Sequence, residues 1–272
     1  MVEEARVSLP SRSASLERAF RDATGRGRFG SACYAFEQLS STMDPAHRLA
    51  KEGALEGACV WAERQTGGRG RAGRAWLSPT GGLYLSVILR PVRAADEVPQ
   101  LALLAGLAAV HAIRDLTGLA GAIRWPNDVL IRDRKVAGIL AESAVDECGR
   151  RYVIIGIGVN VSTAATDLPE EAAGLAQWIR TPPSRCALAA AWLRELEGLY
   201  ARWNAEGFTA VRPELIRWCG FFGRLVRLTT GRGTVEGQVL DVDESGRLVV
   251  RLDSGLARAF DAGEVSLLRH SR

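Results

Sequence analysis

Residues 67–76 read GGRGRAGRAW, with Arg69, Arg71 and Arg74 threaded through four glycines and followed by Trp76. Guanidinium groups bind carboxylate and phosphate in bidentate fashion, and glycine leaves backbone N–H groups free to close on the same oxygens. The chemistry this pattern supports is anion binding, although a solvated basic loop has the same composition. Gly68, Gly70 and Gly73 also satisfy G-x-G-x-x-G. A Rossmann turn of that kind opens a helix, whereas here the chain passes Ser78-Pro79-Thr80-Gly81-Gly82 into LYLSVIL, a strand pattern. The arginines therefore sit in a connection between two strands.

Two further stretches carry polar groups at positions where they can act. In RWPNDVLIRDRKVAGILAES at 124–143, Pro126 removes a backbone donor and breaks the strand, which leaves Asn127 and Asp128 at a turn facing outward or into a cavity. Lys135 opens the apolar run KVAGIL and is either a solvated strand start or a cation reaching over the sheet face. In IIGIGVNV at 154–161, Gly156 and Gly158 weaken a strand. Such glycines mark a β-bulge or the close approach of a ligand or a second chain segment, and Asn160 presents an amide at the strand's end.

The elements that must position these groups alternate along the chain. CYAFEQLSS, ACVWAERQT, LYLSVIL, AIRWP, DVLI, KVAGILAES and YVIIGIGVNV read as strands, and Met43 to Gly53, about 98–117, about 184–205 and 207–218 read as helices. Several strands follow one another directly, so the expected class is α+β on a mixed sheet. After Gly220 the pattern changes to short runs, LVRLTT, VEGQVLDVD, RLVVRL and LARAFD, separated by GRG, ESG and DSG turns. That is the grammar of a small β-barrel. The expected organisation is a mobile leader over 1–30 with a short helix at SLERAFRDA capped by Ser15, a catalytic domain over 31–220 and a barrel over 221–272.

Composition bounds the function. At 272 residues, 47% hydrophobic and 24% charged, the chain is globular, and 35 basic against 31 acidic residues give a net charge of only +4. Five cysteines at wide spacings without C-x-x-C suit a reducing cytoplasm, and the scattered His47, His111 and His270 offer neither a metal cluster nor a hydrolytic triad. The apolar run at 101–113 is shorter than the roughly 20 residues of a membrane span, and the charged N-terminus lacks a signal-peptide pattern.

Taken in order, Ser40-Ser41-Thr42, AERQTGGRGRAGRAWLSPTGGLYLS at 62–86, RWPNDVLI with KVAGILAE at 124–142, and IGIGVN at 155–160 resemble the biotin protein ligases, bacterial group, over about 34–272. The resemblance implies a mixed-sheet catalytic domain of the biotin/lipoate ligase type followed by an SH3-like barrel. It implies condensation of biotin with ATP to biotinyl-AMP and transfer to one lysine of a biotin carboxyl carrier protein, a subunit of acyl-CoA carboxylases. It makes Arg71 and Lys135 the catalytic electrostatic stabilisers. Ser41, Thr42, Gln65, Gly68, Arg69, Gly70, Arg71, Tyr84, Ser86, Lys135 and Gly138 fall on the biotin side. Arg69, Arg71, Arg74, Trp76, Asn127, Asp128, Lys135, Gly156 and Asn160 fall on the nucleotide side. Mg²⁺ is implied on the ATP phosphates, with Asp128 as the one candidate protein ligand.

Two departures from the family pattern stand out: Met43 where Asn is common, and Arg124 where Lys is common. The roughly 30 residues before the catalytic domain imply a ligase without a DNA-binding domain, monomeric or homodimeric, with no membrane or nucleic-acid partner. The competing readings are a lipoate protein ligase of the same fold and, from the arginine-glycine segments, a basic nucleic-acid-binding protein. The glycines of 67–76 imply a loop that is poorly ordered when empty and folds over the adenylate.

Overall fold

The structure, a computed structural model, describes residues 10–25 and 27–268. After α1 (Ala14–Thr24), the strands β1 (Cys33–Leu39), β2 (Cys59–Gln65) and β3 (Leu83–Leu89) enclose the helix α2 (Met43–Lys51). The long helix α3 (Gln100–Thr117) leads to β4 (Ala122–Arg124), β5 (Asp128–Ile131), β6 (Arg134–Val145) and β7 (Arg151–Val159). These strands form one seven-stranded sheet in the order β1-β2-β3-β7-β6-β5-β4, parallel only between β1 and β2.

The sequence explains the layering. α3 is buried from Gln100 through Ile113, because apolar residues surround it on every side and it must lie inside. It packs on one face of the sheet with α4 (Arg185–Glu206), whose N-cap Ser184 accepts a hydrogen bond from Ala187 N at 3.1 Å. α2 covers the opposite face over a second cluster that includes Phe36, Val60, Ala62, Ile88 and Ile154. Arg132 and Asp133, at φ 49° and 62°, make the two-residue turn that sends β5 back as β6 and puts Lys135 at the sheet's rim.

α5 (Arg212–Arg217) precedes five antiparallel strands: β8 (Leu225–Thr230), β9 (Gly233–Val242), β10 (Leu248–Leu252), β11 (Ala257–Phe260) and β12 (Glu264–Leu267), in the order β11-β10-β9-β8-β12. The expected SH3-like unit is thus present, with β12 as an additional strand that four residues of sequence did not announce. It is docked rather than tethered. Trp125 Nε1 donates to Gly246 O at 3.0 Å, Arg212 Nε to Val242 O at 2.7 Å, and Val226, Leu228 and Val239 share one core cluster with α3 and α4.

Three expectations need correction. The leader is not free where it is described: α1 buries Phe20 edge-on against Trp61 at 5.5 Å, Ser13 N donates to Ala35 O at 2.7 Å, and Phe29 is 2% exposed beside Tyr200. Two aromatic anchors outweigh the segment's Arg, Ser and Gly content; residues 1–9 and 26 lie outside the described residues, as does His270. The helix starts after Ser13, not Ser15, and the Ser13 hydroxyl bonds Glu37 at 2.9 Å instead of capping. The helix expected over 207–218 is a single 3₁₀ turn at Phe208–Ala210 followed by α5, because Gly207 and Pro213 interrupt it.

Candidate functional site

The 67–76 segment is a hairpin folded over the rim of the large sheet. Gly70 N donates to Arg74 O at 2.7 Å and Trp76 N to Gly68 O at 2.9 Å, while Ala72 and Gly73 turn the tip at φ 55° and 72°. The arginines leave in three directions. Arg69 Nη1 lies 2.7 Å from Asp44 Oδ1 on α2, and Arg74 pairs with Glu264 on β12. Arg71 Nη1 reaches Asn127 Oδ1 and Gly263 O, each at 3.4 Å. Burial lowers the Arg71 pKa, partly opposed by Asp128, but a guanidinium stays charged at any physiological pH.

Beneath the hairpin, β6 and β7 present a floor without side chains. Gly138 and Gly158 are cross-strand partners, and the Trp76 indole rests on them. A Cβ at Gly158 would lie 2.3 Å from Trp76 Nε1, and one at Gly138 2.9 Å from Trp76 Cζ3. The β3–β7–β6 register runs without a bulge, so these glycines exist for close approach. Lys135 Nζ stands 5.1 Å over the Trp76 ring and 2.7 Å from Asp128 Oδ1, whose other oxygen accepts from Arg124 Nη2 at 2.7 Å. Asp128 is the first residue of β5 rather than part of a turn, and Asn127 is fixed by mutual bonds with Ile139 of 2.8 and 2.9 Å.

The two ends of this floor differ. Beyond Gly156 lie Ser41, Thr42, Met43 and Gln65; Thr42 N donates to Gln65 Oε1 and Thr42 Oγ1 meets Ser86 Oγ, both at 2.8 Å. At the other end Asn160 is 1% exposed, its N–H bonded to Val136 O at 2.8 Å and its Oδ1 buried without a protein partner. Four residues of strand separate Gly156 from Asn160, about 13 Å at the usual rise. A cavity of about 200 Å³ follows this line, with Arg69, Gly70, Arg71, Arg74 and Trp76 on one wall. Leu168, Pro169, Glu171 and Ala172 close the other.

Most residues singled out from the sequence line this cavity: Ser41, Thr42, Gln65, Arg69, Gly70, Arg71, Arg74, Trp76, Asn127, Lys135, Gly138, Gly156 and Asn160. Four stand behind it. Gly68 is pressed by Trp76 O, 2.4 Å from where its Cβ would be. Tyr84 donates to Pro79 O at 2.7 Å, burial raising its pKa; Ser86 supports Thr42; and Asp128 supports Lys135. Sequence reasoning missed the 168–172 wall, whose irregular backbone shows no periodicity. It is held to β6 by a pair of backbone bonds with Lys135, N to Glu171 O at 2.8 Å and O from Ala173 N at 2.9 Å, and by Arg134 Nη2, which donates to Glu170 O at 3.3 Å and Ala172 O at 2.5 Å.

Among the described residues no three His, Cys, Asp or Glu side chains form a metal-binding group. Asp128 has both oxygens turned to cations, so it does not fit the role of a metal ligand. Magnesium fits this site only as an ion carried in on a polyphosphate. No helix among the described residues is long and apolar enough to cross a membrane.

The chain matches the model of the biotin/lipoate A/B protein ligase family over residues 35–160 and that of the biotin protein ligase C-terminal domain over residues 221–268. It is 38% identical over 229 residues to the bifunctional ligase/repressor BirA of Bacillus subtilis, covering 82% of this chain and 70% of the relative. It is 35% identical over 241 residues to the biotin acetyl-CoA-carboxylase ligase of Paracoccus denitrificans, covering 84% and 97%. The biotin protein ligase of Aquifex aeolicus in complex with biotin and ATP superposes with a TM-score of 0.75 at 28% identity, covering 88% of this chain and 99% of that one. With both domain models matched in order and the relatives covered over most of their length, the chain belongs to the biotin/lipoate protein ligase family.

Proposed function

We propose that the chain is an ATP-dependent biotin protein ligase that forms biotinyl-5′-AMP with release of pyrophosphate, then passes the biotinyl group to a lysine of a biotin carboxyl carrier protein. The observation that carries this reading is one cleft lined by Arg69, Arg71, Arg74 and Lys135, with a hydrogen-bonding recess at one end and the unpartnered Asn160 Oδ1 at the other.

The chemistry asks a carboxylate oxygen to attack the α-phosphorus of ATP, so two anions that repel each other strongly in a dry site must be brought into contact. Lys135, over the middle of the floor, and Arg71, half-buried above it, supply fixed positive charge where the acid and phosphate meet. The acid's ring lies toward Ser41, Thr42 and Gln65, whose hydroxyls and amide suit a cyclic urea, and the base lies toward Asn160. Magnesium carried in on ATP would supply further positive charge at the departing pyrophosphate. Trp76 and the hairpin exclude water from the mixed anhydride until the carrier's amine attacks its carbonyl and AMP leaves. In this reading Asp128 holds Lys135 and does not take the carrier lysine's proton, because its two oxygens face Lys135 and Arg124 at 2.7 Å each.

Arg69 and Arg74 lean on carboxylates of their own chain and Arg71 turns to Asn127 and Gly263, which argues against the nucleic-acid reading. Five cysteines, all unpaired, are consistent with work in the cytoplasm. ATP–pyrophosphate exchange with purified protein, run with biotin, with lipoate and with neither acid, tests the assignment. Biotin-dependent exchange that disappears in Arg71→Ala and Lys135→Ala is expected; exchange driven only by lipoate would reassign the substrate, and none with either acid would overturn it.

A further inference from the structure

The recess end of the cleft is closed by a side chain, standing where the glycine pattern leaves room for close approach. Met43, the first residue of α2, is 3% exposed and lines the cavity. A Cβ at Gly156 would stand 2.7 Å from Met43 Sδ, well inside contact, and 3.5 Å from Ser86 Oγ. Ser86 Oγ in turn donates to Met43 Sδ at 3.4 Å, and Ser86 and Gly156 are cross-strand partners. Gly156 is therefore glycine because the thioether occupies the space above it.

The neighbouring polar groups are arranged so that this end wall is soft and apolar while its edges are polar. Thr42 N is taken by Gln65 Oε1 and Thr42 Oγ1 by Ser86 Oγ, so neither points at the wall. Met43 N donates to Ser41 Oγ at 3.3 Å, which leaves the Ser41 hydroxyl proton free for a ligand at the edge. A methionine fills such a place with an apolar, polarisable surface that a polar residue would not give.

We propose that Met43 determines which acids the site accepts, its thioether forming the end wall against which the acid's head ring is gauged, with Gly156 as the counterpart that lets it stand there. This rests on the ligase reading. The favoured substrate class is a carboxylic acid on a short chain that ends in a compact ring with a hydrogen-bonding edge. Enlarging that ring by even two atoms must push Met43 aside, and one methylene in such a pocket is worth about 10–200-fold.

The test is biotin-dependent ATP–pyrophosphate exchange in Met43→Ala, Gly156→Ala, the double variant and Met43→Leu, each with its thermal midpoint, using biotin and biotin sulfone, whose ring sulfur carries two extra oxygens. Gly156→Ala pushes Met43 into the recess and is expected to raise the KM for biotin about 10-fold. The double variant is expected to return to within about threefold of Met43→Ala, because the clash is gone. Met43→Ala is expected to shift the kcat/KM ratio of biotin sulfone to biotin upward at least about 10-fold, and Met43→Leu, which keeps the wall, to leave that ratio within about threefold of the parent. Additive single effects, or coupling seen only in the thermal midpoints with the analogue ratio unchanged in Met43→Ala, would overturn the proposal. Parent protein without biotin-dependent exchange would instead sink the ligase reading, a result the Met43–Gly156 coupling in thermal midpoint does not depend on.

Discussion

Lys135 Nζ lies 2.7 Å from Asp128 Oδ1, so the cation over the middle of the cleft is held by a carboxylate that does not itself line the cavity. Arg124 shares the same carboxylate from the far side at 2.7 Å. The three charges form a chain in which Asp128 sets where the lysine stands. Removing Lys135 takes away charge stabilisation directly, and Lys135→Ala is expected to lower kcat/KM for exchange by about 10²–10³-fold. Asp128→Asn keeps the shape, frees the lysine to wander and is expected to cost about 10-fold, mostly in kcat. Because Asp128 acts through Lys135, the double variant is expected to be no slower than Lys135→Ala. Losses that multiply in steady-state exchange would show that Asp128 has a role of its own.

The indole of Trp76 on the paired glycines makes a second prediction. Gly158→Ala places a methyl 2.3 Å from Trp76 Nε1, against a ring that rests on the sheet with Lys135 Nζ 5.1 Å from its centroid. The ring cannot slide without opening the hairpin. Exchange activity is expected to fall at least about 10²-fold. Gly70→Ala is the matched control, because its Cβ would meet nothing closer than 3.4 Å and its φ of −110° suits any residue. Near-parental exchange in Gly70→Ala beside a large loss in Gly158→Ala is the expected pair of results; equal losses would mean that the loop requires glycine for flexibility alone.

Which parts were legible follows from how local the determining contacts are. The β5–β6 hairpin, α3 and the glycines of β7 could be read because turn residues, an unbroken apolar run and missing side chains leave marks within a few positions. Gly156 was read as a mark of close approach, but what approaches is Met43, more than a hundred positions away, and only the register of α2 over β7 reveals it. The 168–172 wall was invisible for the same reason, since its place is set by backbone bonds to Lys135 and by Arg134 donating to its carbonyls, more than thirty positions away. Phe20 and Phe29 were overlooked because a basic, serine-rich segment averages out two aromatic residues that decide where it packs.

The docking of that segment is testable by pH. Burial tends to raise the Glu17 pKa, but the Arg12 guanidinium and the Ala35 N–H at 3.2 Å outweigh it and hold the carboxyl below its ordinary value. A carboxylate with a depressed folded-state pKa contributes stability above its unfolded pKa of about 4.3, and that contribution is lost as pH falls through the lower folded value. Arg12 is half exposed, so the effect is modest. Glu17→Gln is expected to lower the thermal midpoint by about 2 °C at pH 7 and to match the parent at pH 3. A variant difference that persists unchanged at pH 3 would show that the charge is not what pins α1 to β1.

The hairpin is tied to the C-terminal domain through Arg74 and Glu264 and through Arg71 Nη1 to Gly263 O at 3.4 Å. Arg74 and Glu264 are each about half exposed, at 53%, and such pairs are worth less than about 1 kcal/mol, so this tie does little for global stability. Its consequence lies in closure. A mixed anhydride survives only while water is kept out, and a glycine-rich hairpin with one arm released opens more often. Glu264→Ala is expected to leave the thermal midpoint within about 1 °C while raising the escape of biotinyl-AMP, in single turnovers without carrier, by about threefold to tenfold. Trypsin is expected to cut after Arg71 or Arg74 faster in the variant than in the parent, and adenylate to slow the cut in both. Exchanging the charges, Arg74→Glu with Glu264→Arg, is expected to recover part of the retention, because the pair is re-formed with its sign reversed. Escape and cleavage rates that ignore Glu264 would show that the loop closes on the catalytic domain alone, through Arg69 and Asp44 at 2.7 Å.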